Sequence, residues 1–202
     1  QRALGDVPLV GGSAGDDRRF ASTYVLHGGR KLAGAVWLVV GTRLPFKVFR
    51  SSHFLGDSEP LVVTEADASQ RLVREINGAP AALEYARVLG VAPQELDTSR
   101  MAAAPFVVRI GGNDYVRSVR AVEPDHSLRL YCAIERGVVL RIARGTDMVV
   151  ARRTLFDDLR AAVGQPAVTI GFDCIQCKQE ADDLDGKAAI GDLFARNSVV
   201  GF

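Results

Sequence analysis

Leu61-Val-Val-Thr64, Arg71-Leu-Val-Arg-Glu-Ile76, Asn77-Gly78 and Ala79-Pro-Ala-Ala-Leu-Glu-Tyr-Ala-Arg-Val-Leu-Gly90 follow one another, and their reading decides the fold. The first two runs are apolar and β-branched, so they predict a hairpin. Asn77-Gly78 favours positive φ and is expected to close it. The period then changes. Pro80 is tolerated in a first helical turn, Leu83, Ala86, Val88 and Leu89 give an apolar face, and Gly90 suits the position beyond a helix end. Strands are followed by a helix, with no strand–helix–strand alternation.

Upstream the chain reads as strands and turns. Val7 to Val10 is a short apolar run ending in the loop Gly11-Gly-Ser-Ala-Gly-Asp-Asp17. Phe20 to Leu26 predicts a strand that stops at Gly28-Gly29 and turns into a hairpin partner. Leu32 to Val40 is nearly all apolar and includes Trp37, as expected of a strand covered on both faces. Phe46 to Ser51 alternates like a half-exposed strand, and Gly56 to Pro60 is a turn cluster.

Downstream, Pro93 to Leu96 predicts a short helical turn. Four runs then follow: Phe106–Ile110, Tyr115–Val122, Leu128–Ile134 and Val138–Ala143. Short turns separate them, which predicts an antiparallel meander. Thr146 or Asp147 is placed to cap a helix to Val163, stopped by Gly164. Ala167 to Phe172 reads as a buried strand, Lys187 to Arg196 as a helix, and Ser198 to Phe202 as a last strand. The expected class is α+β: mostly antiparallel sheets flanked by helices, in two similar-sized blocks, 1–97 and 98–202, with the boundary near 97 to 105.

Composition narrows the function. The chain has 202 residues, 48% of them hydrophobic and 24% charged, which is ordinary for a globular protein. Its 25 basic residues face 24 acidic ones, so it lacks the basic excess of a dedicated nucleic-acid binder. The longest uncharged apolar run, Leu32 to Thr42, is far short of the ~20 residues of a spanning helix. No partner membrane or nucleic acid is expected. The chain opens without Met and ends on Val199-Val-Gly-Phe202, an apolar terminus that suggests a fragment. Three cysteines, Cys132, Cys174 and Cys177, do not make an even disulfide set and point to a reducing cytoplasm.

Few residues declare chemistry. Cys174-Ile-Gln-Cys177 has CxxC spacing, but zinc needs four ligands and no second pair exists. A redox CxxC follows a strand and opens a helix. Here the strand is present without a βαβ frame, so two thiols on a strand-to-helix turn, one of them buried, is the favoured reading. His27 and His126 sit beside turn residues and read as surface. His53 precedes Phe54, and a histidine beside an aromatic ring can ligate haem iron, though a structural histidine is the commoner outcome. Gly11-Gly12-Ser13 resembles a phosphate loop only in its glycines. An anion nest is open to it, and a tight turn needing positive φ is the plainer reading. Ser13 with Asp16 or Asp17 and a distant histidine forms a triad only on paper, without a GxSxG elbow.

Several segments together resemble a known family. They are Pro8-Leu-Val-Gly-Gly-Ser-Ala-Gly-Asp16, Val62-Val-Thr-Glu-Ala-Asp67, Arg74-Glu-Ile-Asn-Gly-Ala-Pro-Ala-Ala-Leu-Glu-Tyr85, Tyr115-Val-Arg-Ser-Val119, Asp173-Cys-Ile175 and Asn197-Ser-Val-Val-Gly-Phe202. In order and spacing they are similar to the N- and C-terminal halves of the FIST sensory domain. The resemblance assigns 1–97 to the later part of the N-terminal half and 98–202 to an incomplete C-terminal half. Arg50-Ser-Ser-His-Phe54 resembles a stretch of the bacterial kind, which includes haem-binding nitric-oxide sensors. Gln176-Cys177 departs from the Leu-Arg expected after Asp-Cys-Ile.

The resemblance implies a non-catalytic small-ligand sensor in the cytoplasm. Its partner would be a signalling enzyme, such as a histidine kinase or a diguanylate cyclase or phosphodiesterase. It makes His53 a candidate metal ligand, with haem as the cofactor. The haem-free alternative is a sensor of amino acids or another small molecule, held by Gly11, Gly12, Ser13 and by Arg109 or Arg117 through a guanidinium fork. A thiol enzyme using Cys174 is the second alternative.

Overall fold

The structure, a computed structural model, describes residues 5, 7–16, 19, 21–34, 36–183 and 186–201. Asp17, Phe20 and Phe202, at the ends of three expected segments, lie outside them. The chain divides into two compact units, residues 52–151 and residues 1–51 with 152–202.

Gly28 and Gly29 both take positive φ, 55° and 72°, as a tight hairpin turn requires. They join β1 (Val25–His27) to β2 (Arg30–Leu32). The hairpin forms at the expected turn, but its first strand is confined to Val25–His27, with Ala21 to Tyr24 irregular, and its second stops at Leu32. The strand expected from Leu32 to Val40, covered on both faces, is not formed: Val36 to Val40 is irregular, with Leu38 82% and Val39 92% exposed. Phe46 to Ser51 and Val7 to Val10 are likewise irregular and largely exposed. Apolar periodicity marks a segment able to pair, and pairing itself requires a neighbouring strand edge.

The unit of residues 52–151 is built on one antiparallel sheet. Its elements are β3 (Phe54–Gly56), β4 (Leu61–Asp67), β5 (Leu72–Ile76), β6 (Ala79–Pro80), α1 (Ala81–Leu89), a 3-10 turn at Pro93–Glu95, α2 (Thr98–Ala103), β7 (Phe106–Ile110), β8 (Asn113–Arg117), β9 (Val119–Val122), β10 (Leu128–Leu130) and β11 (Val139–Gly145). The order across the sheet is β8-β7-β11-β4-β5-β10-β9, with β3 on β11 and β6 on β5. The expected meander is thus split. Hairpins β7–β8 and β9–β10 lie at opposite ends, and β11, β4 and β5 lie between them. β4 and β5 carry fully buried Leu61, Val63, Val73 and Ile76, so central positions hide them best. The sheet also crosses the expected block boundary near 97, since β11 pairs with β4.

β4 and β5 form the expected hairpin, closed by Ala68 to Arg71 rather than by Asn77-Gly78. Asn77 and Gly78 do take positive φ, 54° and 79°, but they turn β5 into β6. α1 ends where expected, with Gly90 left-handed at φ 70°, but it starts at Ala81, because Ala79 and Pro80 are extended and pair with β5. Its buried face is Ala81, Ala82, Glu84, Tyr85 and Ala86, whereas Leu83 is exposed. Tyr85 packs on Phe106 at 4.9 Å and donates to the Ala104 carbonyl at 2.7 Å. α2 was not expected; its signal is Asp97, whose carboxylate accepts the Arg100 amide at 2.8 Å.

α3 (Met148–Val163) starts at Asp147, which accepts the Val150 amide at 2.9 Å, and stops at left-handed Gly164. The boundary between the units falls within it. The second unit continues with β12 (Thr169–Gly171), α4 (Ile175–Asp183), α5 (Lys187–Arg196) and β13 (Val199–Gly201). β12 and β13 pair in parallel, a departure from the antiparallel rule of the rest. β12 buries Thr169 alone, where a fully buried strand was expected; Val168 and Ile170 are exposed. The class is α+β, with antiparallel sheets flanked by helices.

Truncating fully buried Leu61 should therefore cost far more than truncating exposed Leu38. Leu61→Ala is expected to lose about 2–5 kcal/mol in denaturant unfolding. Leu38→Ala is expected to change stability by less than about 0.5 kcal/mol. Equal losses would mean that the Val36 to Val40 run is buried in solution.

Candidate functional site

Glu84 is the first residue to explain, because it is a carboxylate on a buried helix face, 8% exposed. Asn77 Nδ2 donates to it at 2.9 Å, and Arg87 donates through Nε at 2.7 Å and Nη2 at 3.0 Å. The Arg87 bonds hold its carboxyl below the usual range against the opposing effect of burial. The Asn77 side-chain oxygen meanwhile accepts the Val62 amide at 2.9 Å. Arg87 reaches on to Glu59. A single polar chain thus ties the β4 start, the β5–β6 turn, α1 and the turn before β4.

The outer end of that chain, Arg87 with Glu59, lines an open cleft of about 620 Å3. Asp57, Ser58 and Glu59 line it from the turn, Arg87, Val88 and Leu89 from the end of α1, Ala104 from the chain after α2, and Ile142, Ala143 and Arg144 from β11. Ile142 and Ala143 are buried and make an apolar floor. Ser58 is fixed: its hydroxyl accepts the Ile142 amide at 2.7 Å and its carbonyl accepts Arg141. The rim holds charge in pairs, Arg87 with Glu59 and Arg144 with Asp57, the latter at 2.8 Å. The sequence reading missed Arg87, Arg144 and Glu59, which lie far apart in the chain and fit no spacing rule.

The residues singled out from sequence are placed elsewhere. Arg109 forks onto Asp114, through Nε at 2.7 Å and Nη2 at 2.9 Å. Asp114 also accepts the Gly56 amide at 3.1 Å, and a Cβ on Gly56 would meet Val107 at 2.6 Å, so only glycine fits there. Arg117 is opposite Phe106, and Arg109 is opposite Asp114. Facing residues share a face and successive residues alternate, so the two arginines lie on opposite faces of the sheet. They do not converge on one ligand. Gly11, Gly12 and Ser13 are exposed in irregular chain of the other unit, and Gly11 and Gly15 lack the positive φ expected of a tight turn. Asp16 anchors that loop by accepting the Ala21 amide at 2.7 Å and the Ser22 amide at 3.1 Å.

His53 is buried, at 5% exposure. Its ring lies 4.3 Å from that of Phe54, and its carbonyl accepts both the amide and the hydroxyl of Thr146, at 2.7 and 2.8 Å. A haem ligand must present a ring nitrogen to a space that admits a porphyrin. The His53 imidazole is enclosed, so holding haem would require the ring to be uncovered. His27 and His126 are exposed, as expected.

The FIST N domain matches residues 1–79 and the FIST C domain matches residues 81–202. No curated protein and no solved structure matches the chain. The chain belongs to the FIST family, whose domains are non-catalytic sensory modules of signal transduction. The thiol-enzyme alternative at Cys174 is not carried further. No helix among the described residues is long and apolar enough to cross a membrane. The two domains meet between β6 and α1, so Asn77–Glu84 and Glu59–Arg87 are bonds between them, and the cleft is lined by both.

Arg109 holds Asp114 well below the ordinary carboxylate range, at about 2. A depressed carboxyl adds stability above the unfolded value near 3.8, and that stability fades as pH falls from there towards 2. Asp114→Asn should lower stability at neutral pH and flatten its decline between about pH 4 and 2. An unchanged acid limb would show that the pair does not form.

Proposed function

We propose that this FIST chain senses a small ligand bearing both charges, of the amino-acid class, in the cleft beside Arg87 and Arg144. The carrying observation is the matched rim of two arginines and two carboxylates over an apolar floor. A carboxylate can exchange with Glu59 or Asp57 on a guanidinium, and an ammonium group can take the freed acid. Every charge then stays paired, while the side chain rests on Val88, Leu89 and Ile142. Exposed ion pairs are worth little, so exchanging them costs little. The volume lies within the roughly 300–1,000 Å3 of small-molecule sites.

Because Arg87 and Glu59 line the cleft and Arg87 also holds Glu84, a ligand that engages Arg87 acts on the contact between the N and C domains. A signalling partner responds if it prefers one of the two arrangements. A cytoplasmic histidine kinase or cyclic-di-GMP enzyme is the class of partner that the family suggests.

Haem with nitric oxide is the second reading, and the family resemblance of Arg50 to Phe54 supports it. It requires His53 to be uncovered first.

A thermal-shift screen with single amino acids separates the two readings. A stabilising amino acid whose effect falls at least about tenfold in apparent affinity in Arg144→Ala supports the cleft. No stabilisation by any amino acid would refute it. A Soret band on chain expressed with haem, shifting with nitric oxide and absent in His53→Ala, would favour the second reading.

A further inference from the structure

The turn from β12 into α4 gathers four groups that the ligand reading leaves unused. Cys174 is exposed and immediately precedes α4. Cys177 is half-buried in the first turn, and its amide donates to the Cys174 carbonyl at 2.9 Å. Asp173 stands before both. It accepts the Cys174 amide at 3.1 Å and Arg152 Nη2 at 3.0 and 2.8 Å. The charge of that carboxylate also acts on the half-buried Cys177 thiol. Arg152 is itself largely enclosed, with its guanidinium carbon 5.3 Å from the centre of the Phe194 ring and its Nε buried without a hydrogen-bond partner. The carboxylate is thus fixed in place beside the pair of thiols.

Three residues apart on a helical turn, two Cα atoms are about 5 Å apart. A disulfide accepts Cα separations of roughly 4.4–6.8 Å, so closure needs little backbone movement. We propose that Cys174 and Cys177 are a reversible thiol–disulfide modification site, oxidised by a low-molecular-weight disulfide. The exposure of Cys174 makes it the thiol that the reagent reaches. Its sulfur, as thiolate, attacks one sulfur of the disulfide. A mixed disulfide forms, the reagent's S–S bond breaks, and one thiolate leaves and takes a proton from solvent. Cys177 then loses its proton to solvent, and its sulfur attacks Sγ of Cys174. The ring closes, the mixed disulfide breaks, and the second thiolate leaves and is protonated. Two protein thiols are oxidised by two electrons, and one disulfide is reduced to two thiols.

The two cysteines differ as this order requires. Burial, with the charge of Asp173 second, pushes Cys177 up to about 12, so exposed Cys174 attacks first and Cys177 follows once the mixed disulfide is beside it. Closing the ring also ties Cys174, which precedes α4, to the first turn of that helix. The site belongs to the unit of residues 1–51 and 152–202, and it stands independently of the cleft.

The test uses the whole reduced chain in glutathione buffers of rising oxidised fraction, quenched by alkylation and mapped by mass. The expected result is that Cys174 and Cys177 lose their alkyl groups together, and their peptide is two hydrogens lighter than the reduced form. Cys132, half-buried in the other unit, stays alkylated as the internal control. Cys177→Ser should instead retain one glutathionyl group on Cys174, and Cys174→Ser should leave Cys177 alkylated. The proposal is overturned if both thiols remain alkylated in fully oxidised glutathione. It is equally overturned if the unmodified sequence stops at the same mixed disulfide as Cys177→Ser.

Discussion

A buried carboxylate must be paired, and Glu84 is the place where this chain meets that demand. An unpaired charge there would be costly enough to forbid the helix its inward face. Asn77 and Arg87 supply the partners, and each has a second bond, Asn77 to the β4 backbone and Arg87 to Glu59. The pairing therefore sets the seating of α1 on the sheet, the use of Asn77-Gly78 as a β5–β6 turn, and the position of Arg87 at the cleft. Alanines at 81, 82 and 86 then let the helix approach closely, and Tyr85 fills the remaining space above Phe106.

The same bonds join the two FIST domains. The N domain ends at residue 79 and the C domain starts at residue 81, yet β4 and β5 of the N domain lie between strands of the C domain in one sheet. A domain boundary in sequence is thus not a gap between cores here. A ligand that bridges such a seam has a physical route to a response, because the charges it would exchange with are those that hold the seam.

The sheet also explains why the arginines chosen from sequence form no site together. Arg109 and Arg117 are near in sequence and lie on adjacent strands, but the alternation of side chains separates them by a full sheet. Arg109 is spent on Asp114, and that pair locks β8 to Gly56 of β3. Arg87 and Arg144 come together because β11 runs past the end of α1, which no local pattern announces.

The local events were legible along the chain. Gly28-Gly29 marked a tight turn, Pro80 and Gly90 bounded a helix, Asp147 and Gly164 bounded another, and the apolar runs at 61–64, 71–76 and 106–110 marked segments able to pair as strands. Each rests on backbone sterics or on a period readable within a few residues. The order of the strands, the burial of Glu84 and His53, the exposure of Val36 to Val40 and the gathering of the cleft were decided by tertiary structure alone. Each depends on which edge or face meets which partner, and those partners lie up to 93 residues apart, as Thr146 does from His53.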